Sequence, residues 1–132
     1  MPLRLKPFLE QILGLLREDF PSQLDRLVEE ADGITYLQVL DKDEAVIIVR
    51  DHAVRIVSRA RKKDINIRVT MSRKCLFSVL EGRQTLAEAL EKGELTVFGD
   101  PVTLLRCYAI WERVISLART SPRFYFLTYR LR

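Results

Sequence analysis

The sequence predicts an α+β fold: a five-stranded, mainly antiparallel sheet with helices covering one face. Three observations carry that expectation. Apolar residues recur at three- and four-residue spacing near the start of the chain, then at period two through its middle, then at helical spacing again beyond Asp100-Pro101. One-sided strands need a cover, and the apolar stripes of the helices supply it.

Leu5, Phe8, Leu9, Ile12, Leu15 and Leu16 form one face of a first helix. A second follows, with Pro21 in its first turn, Leu24, Leu27, Val28 and Ala31 as its stripe, and Gly33 placed to close it in a left-handed conformation. Strands are expected over 34–40 and 44–50, joined by a hairpin turn at Asp41-Lys42-Asp43. A third runs over 53–59. A fourth over 65–71 sets Ile65, Ile67, Val69 and Met71 on one face against Asn66, Arg68 and Thr70 on the other. Together these read as an antiparallel meander with one solvated face.

Ser72 is placed as the N-cap of a short helix that ends at Gly82, with Cys75, Leu76, Val79 and Leu80 along one stripe. Thr85-Leu86-Ala87-Glu88 is a capping-box sequence for another, closed by Gly93. Residues 94–98 make a fifth strand. Asp100-Pro101 then supplies a cap and a first-turn proline for a longer helix bearing Leu104, Cys107, Tyr108, Trp111, Val114, Ile115 and Ala118 on one side. The pattern of 121–132 fits helix and strand equally. No linker divides the chain, which reads as one domain: helices over 1–33, a core over 34–118 and a basic aromatic tail over 119–132.

At 132 residues, 48% apolar and 30% charged, the chain is long enough to form a buried core, which excludes disorder. The longest apolar run, Ala45 to Val49, falls far short of the ~20 residues a membrane helix needs. The net charge of +4 is uneven: residues 1–33 hold seven acids and four bases, residues 101–132 six bases and one acid. Cys75 and Cys107 stand far apart among apolar neighbours, as buried free thiols do in a reducing compartment. With no secretory pattern at the N-terminus, the expected location is the cytoplasm.

Chemistry has little to work with. His52 is the sole histidine and follows Asp51 at a strand turn, which points to a surface imidazole. The cysteines lack CxxC spacing, no glycine-rich phosphate loop or zinc signature is present, and neither catalysis nor a metal or cofactor is expected. Arg59-Ala60-Arg61-Lys62-Lys63 joins two strands without interleaved aromatic residues, so it reads as a solvated connection rather than a nucleic-acid site.

The order of elements, and above all Gly93-Glu94-Leu95-Thr96-Val97-Phe98-Gly99-Asp100 ahead of a long helix, resembles the sterol carrier protein type-two family over roughly residues 34–118. That resemblance implies an apolar tunnel or cleft that holds a lipid between sheet and helices. Within it, Leu104, Tyr108, Trp111 and Ile115 facing Leu76, Phe77 and Leu80 become the expected lipid-lining wall; read without it, the same stripe is core. Tyr108 and Trp111 add a polar handle for a head group. Gly99 and Asp100 have a structural role, a tight turn and a helix cap.

The leading functional expectation is therefore non-enzymatic binding or presentation of a sterol-like, fatty-acyl or polyprenyl lipid. The alternative is a filled-core module that docks a partner protein in lipid or isoprenoid-quinone metabolism. The tail, with Arg119, Arg123, Arg130 and Arg132 among Phe124, Tyr125, Phe126 and Tyr129, suits transient contact with an anionic membrane; equally, Phe124, Phe126 and Leu127 complete the core by packing back.

Overall fold

The computed structural model describes residues 3–131. Two helices open the chain, α1 (Leu5–Asp19) and α2 (Pro21–Glu30), with Pro21 in the first turn of α2 where its missing N–H costs nothing. The strands are β1 (Thr35–Leu40), β2 (Asp43–Arg50), β3 (Ala53–Val57), β4 (Ile67–Met71) and β5 (Leu95–Phe98). Helices α3 (Arg73–Leu80) and α4 (Leu86–Glu91) lie between β4 and β5, and α5 (Pro101–Ala118) and α6 (Pro122–Leu131) follow.

The expected caps are present. Ser72 Oγ accepts from Cys75 N at 3.0 Å, Thr85 and Glu88 form a reciprocal box, and Asp100 Oδ1 accepts from Val102 N at 3.1 Å. Both hairpins turn on left-handed residues: Asp41 at φ 54°, then Asp51 and His52 at φ 51° and 60°. Consecutive left-handed residues make the reverse twist that a two-residue hairpin favours. His52 is exposed there, as its position after Asp51 predicts.

The sheet corrects the expectation of a simple antiparallel meander. Its order is β3-β2-β1-β4-β5, and β4 pairs with β1 in parallel, Tyr36 opposite Ile67 and Leu40 opposite Met71. The other three pairings are antiparallel. A parallel neighbour requires a crossover. Residues 58–66 provide it, passing from the β3 edge over β2 and β1, with a short 3₁₀ turn at Lys62–Asp64. Consequently the third strand ends at Val57 and the fourth begins at Ile67, each two residues short of the expected range. Asn66 joins the crossover to β1: its N donates to Thr35 O at 2.9 Å, and its Oδ1 accepts from Thr35 N at 2.7 Å.

The face away from the helices is solvated only in part. Arg55, Arg68 and Thr96 are exposed there, whereas Thr35 and Val46 are each only 1% exposed. The opposite face carries Ile34, Tyr36 and Leu40, with Ala45, Val49, Ile67, Val69, Met71 and Leu95, packed against the stripe of α1.

The tail is helical over Pro122–Leu131, and Arg132 lies outside the described residues. Phe124 and Leu131 of α6 are buried, and Arg73 Nη1 donates to Leu131 O at 2.8 Å. Arg123 reaches Glu18 Oε2 at 2.6 Å and Asp19 Oδ1 at 3.4 Å, so the basic tail meets the acidic end of α1. Packing back is thus correct for Phe124, while Leu127 is half-buried and Phe126 is exposed.

Candidate functional site

Helix α5 is anchored at few points. Over its 18 residues only Cys107 and Ala118 are buried, while Leu104, Trp111, Val114 and Ile115 stay half-buried although they face the sheet. Polar contacts hold the helix to the end of α2: Arg106 Nη2 donates to Glu30 O and Asp32 O, and Arg113 Nη1 to Glu30 Oε1 at 2.8 Å. Beneath the stripe lies a cavity of about 260 Å³.

Six of the seven residues singled out from sequence line that cavity: Leu76 and Leu80 from α3, and Leu104, Tyr108, Trp111 and Ile115 from α5. Phe77 does not. It is buried one residue beyond Leu76, which turns it roughly 100° around the helix and away from the space. Sequence reasoning left out the floor and far wall. Ile67, Val69 and Met71 of β4 and Tyr36 and Gln38 of β1 form the floor, while Leu5, Phe8, Leu9 and Ile12 of α1 close one side. The period-two signal of β4 and the helical stripe of α1 were both visible in sequence, but neither distinguishes facing a void from facing packed core.

Gln38 is the one carboxamide in this lining, and its hydrogen-bonding groups are engaged. Its Oε1 accepts from the Tyr36 hydroxyl at 2.6 Å, and its Nε2 donates to Val39 O at 3.2 Å and Val69 O at 3.3 Å. Burial pushes the Tyr36 phenol well above its ordinary value, with the neighbouring Cys107 adding to the shift. Burial likewise raises the Cys107 thiol to about 11, against a smaller opposing pull from Arg106. Both groups are therefore neutral near pH 7. A wall of this kind offers contact to alkyl and ring carbons and no charge to a polar group.

The mouth lies where lining residues reach solvent: Leu90 of α4, Val97 of β5, and Leu105 and Tyr108 of α5 are all substantially exposed. Among the described residues, no three His, Cys, Asp or Glu side chains gather as metal ligands would, and no helix is long and apolar enough to cross a membrane. Both cysteines are free and buried.

No family model matches the chain, and no curated protein does. Solved structures do. A UbiJ-SCP2 ubiquinone synthesis protein superposes with a TM-score of 0.62 at 20% identity, over 91% of this chain and 98% of that one. Sterol carrier protein domain 2 of Helicoverpa armigera gives 0.64 at 11% identity, over 83% of this chain and 87% of its own. Apo sterol carrier protein 2 of Yarrowia lipolytica gives 0.55 at 17% identity, over 74% and 79%. With its sheet order, its capped helices between β4 and β5 and its long α5 above the cavity, the chain has the fold of the sterol carrier protein type-two domains.

Proposed function

We propose that the chain binds an amphiphile with a long apolar portion, sterol-like, fatty-acyl or polyprenyl, and shields or presents it without chemical change. The observation that carries this reading is the apolar cavity of about 260 Å³ under α5, whose polar side chain Gln38 is already engaged within the wall. Each methylene moved from water into such a space contributes ~0.8 kcal/mol, so affinity comes from the tail. The head group stays at the mouth beside Tyr108, where its hydration is kept.

Among apolar ligands, a polyprenyl chain of isoprenoid-quinone metabolism is favoured by one observation, the likeness to a structure described as a ubiquinone synthesis protein. A filled-core interaction module is poorly served by the unfilled volume. Free thiols at Cys75 and Cys107 fit a cytoplasmic setting. Exchange of such cargo takes place at membranes, and α6 presents Tyr125, Phe126 and Tyr129 to solvent beside Arg130, a composition suited to transient contact with an anionic surface.

Native mass spectrometry of protein purified under mild conditions tests the reading, together with titration of the single tryptophan, Trp111, whose emission responds to filling of the cavity. A co-purified lipid or a saturable spectral change is expected. An unchanged spectrum and no calorimetric heat with acyl, sterol and prenyl ligands would put the filled-core module ahead.

A further inference from the structure

A second, smaller cavity of about 120 Å³ lies between α1, α2, β3 and α5, lined by residues such as Leu24, Leu27, Val28, Val54 and Ile56. It adjoins the larger one: Leu9, Ile12, Tyr36, Cys107, Trp111 and Val114 line both. Two of these six are aromatic, and their rings stand 5.8 Å apart, tilted by 54°. Tyr36 belongs to the central strand and is tied through its hydroxyl to Gln38, which is tied in turn to backbone carbonyls of β1 and β4. Trp111 meets it from α5, where it is half-buried.

We propose that Trp111, closing against the fixed ring of Tyr36, is the partition between the two chambers and sets the length of apolar chain that the protein accepts. The inference rests on the lipid-binding reading above and adds its specificity determinant. A tail that enters past Leu90 and Leu105 and fills the larger pocket ends against the ring pair; beyond it lies the further apolar volume of the smaller pocket, which a tail held in the larger one reaches when the indole is absent. Tyr36 is the rigid half of the partition because moving its ring breaks a buried hydrogen bond. Trp111 is the half whose removal opens the path: the Tyr36 hydroxyl loses its hydrogen bond from the indole but keeps its own donation to Gln38.

The test is a chain-length series of saturated fatty acids, from decanoic through myristic to stearic acid, measured by calorimetry with the wild type, Trp111→Ala, Trp111→Leu and Tyr36→Phe. Wild-type affinity is expected to rise about fourfold per added methylene until the tail meets the partition, then level off. Both Trp111 variants should carry the rise on to longer acids, with at least a tenfold gain for the longest. Tyr36→Phe keeps the ring and should level off where the wild type does. Should Trp111→Ala fail to fold, Trp111→Leu keeps an apolar side chain on α5 and reads the same shift. The same levelling length in wild type and Trp111 variants, or a shifted one in Tyr36→Phe, overturns the partition while leaving the lipid reading standing. No binding of any acid by wild type or variants overturns the partition as a selector of acyl length, and the lipid reading falls with it only when sterol and prenyl ligands give no heat either.

Discussion

Asp43, the first residue of β2, caps α1 from across the fold: its Oδ2 accepts from Leu5 N at 2.8 Å, although 38 residues separate the two. The same carboxylate accepts from Arg4 Nη2 at 3.3 Å and lies 3.7 Å from Arg73 Nη2, with its side chain only 13% exposed. Helix α1 has no side-chain cap of its own. The hairpin thus satisfies a helix end that local sequence leaves open.

Replacing Asp43 with Ala should therefore destabilise the protein by about 1–2 kcal/mol, since it strips a helix N-terminus of its acceptor and two arginines of a partner. Urea unfolding measures it. A midpoint equal to that of the wild type would show that water replaces the carboxylate at no cost.

Asp100 should affect stability with a defined pH dependence. The hydroxyl and backbone N–H of Thr103 hold its pKa below the ordinary 3.8. A carboxylate depressed in the folded state contributes stability above its unfolded pKa and loses it as pH falls through the folded one. Asp100→Asn should accordingly melt lower than wild type at neutral pH, the gap closing below about pH 4. A gap that persists unchanged at pH 2 would assign the effect to something other than the charge.

Cys107, with its pKa raised to about 11, should label slowly with Ellman's reagent at pH 8 in the native protein and rapidly in denaturant. Its native reactivity should climb only as pH approaches 11. Because the thiol lies in the wall of both chambers, a bound acyl chain should slow labelling further. Fast labelling of folded protein at pH 8 would contradict the burial of this thiol.

Helix α6 separates anchoring from surface roles residue by residue. Phe124, 2% exposed, should cost about 3–5 kcal/mol when cut to Ala. Phe126 and Tyr129, 73% and 78% exposed, should be replaceable by Ser with little change in melting. If α6 meets anionic membranes, that double variant should lose co-sedimentation with phosphatidylglycerol vesicles, which wild type shows at low salt and not at high salt. Equal sedimentation of the two proteins would remove α6 from any membrane role.

Local signals in the sequence correspond to local features of the structure. Ser72, Thr85 and Asp100 cap helices because a cap needs only its next three residues, and the turns at Asp41 and Asp51 need only two or three. Strand order is another matter. The alternation of Ile67, Val69 and Met71 is the same beside a parallel or an antiparallel neighbour, so β4 could not announce that it pairs with β1. The α5 stripe and Leu76 and Leu80 were readable as facing inward. The cavity they face was not, since its volume depends on how far α5 stands off the sheet, and the contacts that tie α5 to the fold, Arg106 and Arg113 on the end of α2 among them, join residues more than 70 positions apart. For 119–132, aromatic and basic residues suit helix and strand alike; contact with α1 and Arg73 decided for helix.

The crossover between β3 and β4 also bears on how quickly the protein reaches this state. Strands β1, β2 and β3 meet through two tight turns and can zip without waiting for distant chain. Adding β4 means bringing residues 58–66 back across the zipped strands so that Asn66 meets Thr35, 31 residues away in sequence, before the parallel ladder gains anything. Docking of β4 is therefore the expected slow step of folding. Doubling the loop with Gly-Ser insertions at the exposed Lys62-Lys63 turn would add roughly 0.6 kcal/mol to that closure, slowing refolding about threefold while leaving unfolding nearly untouched.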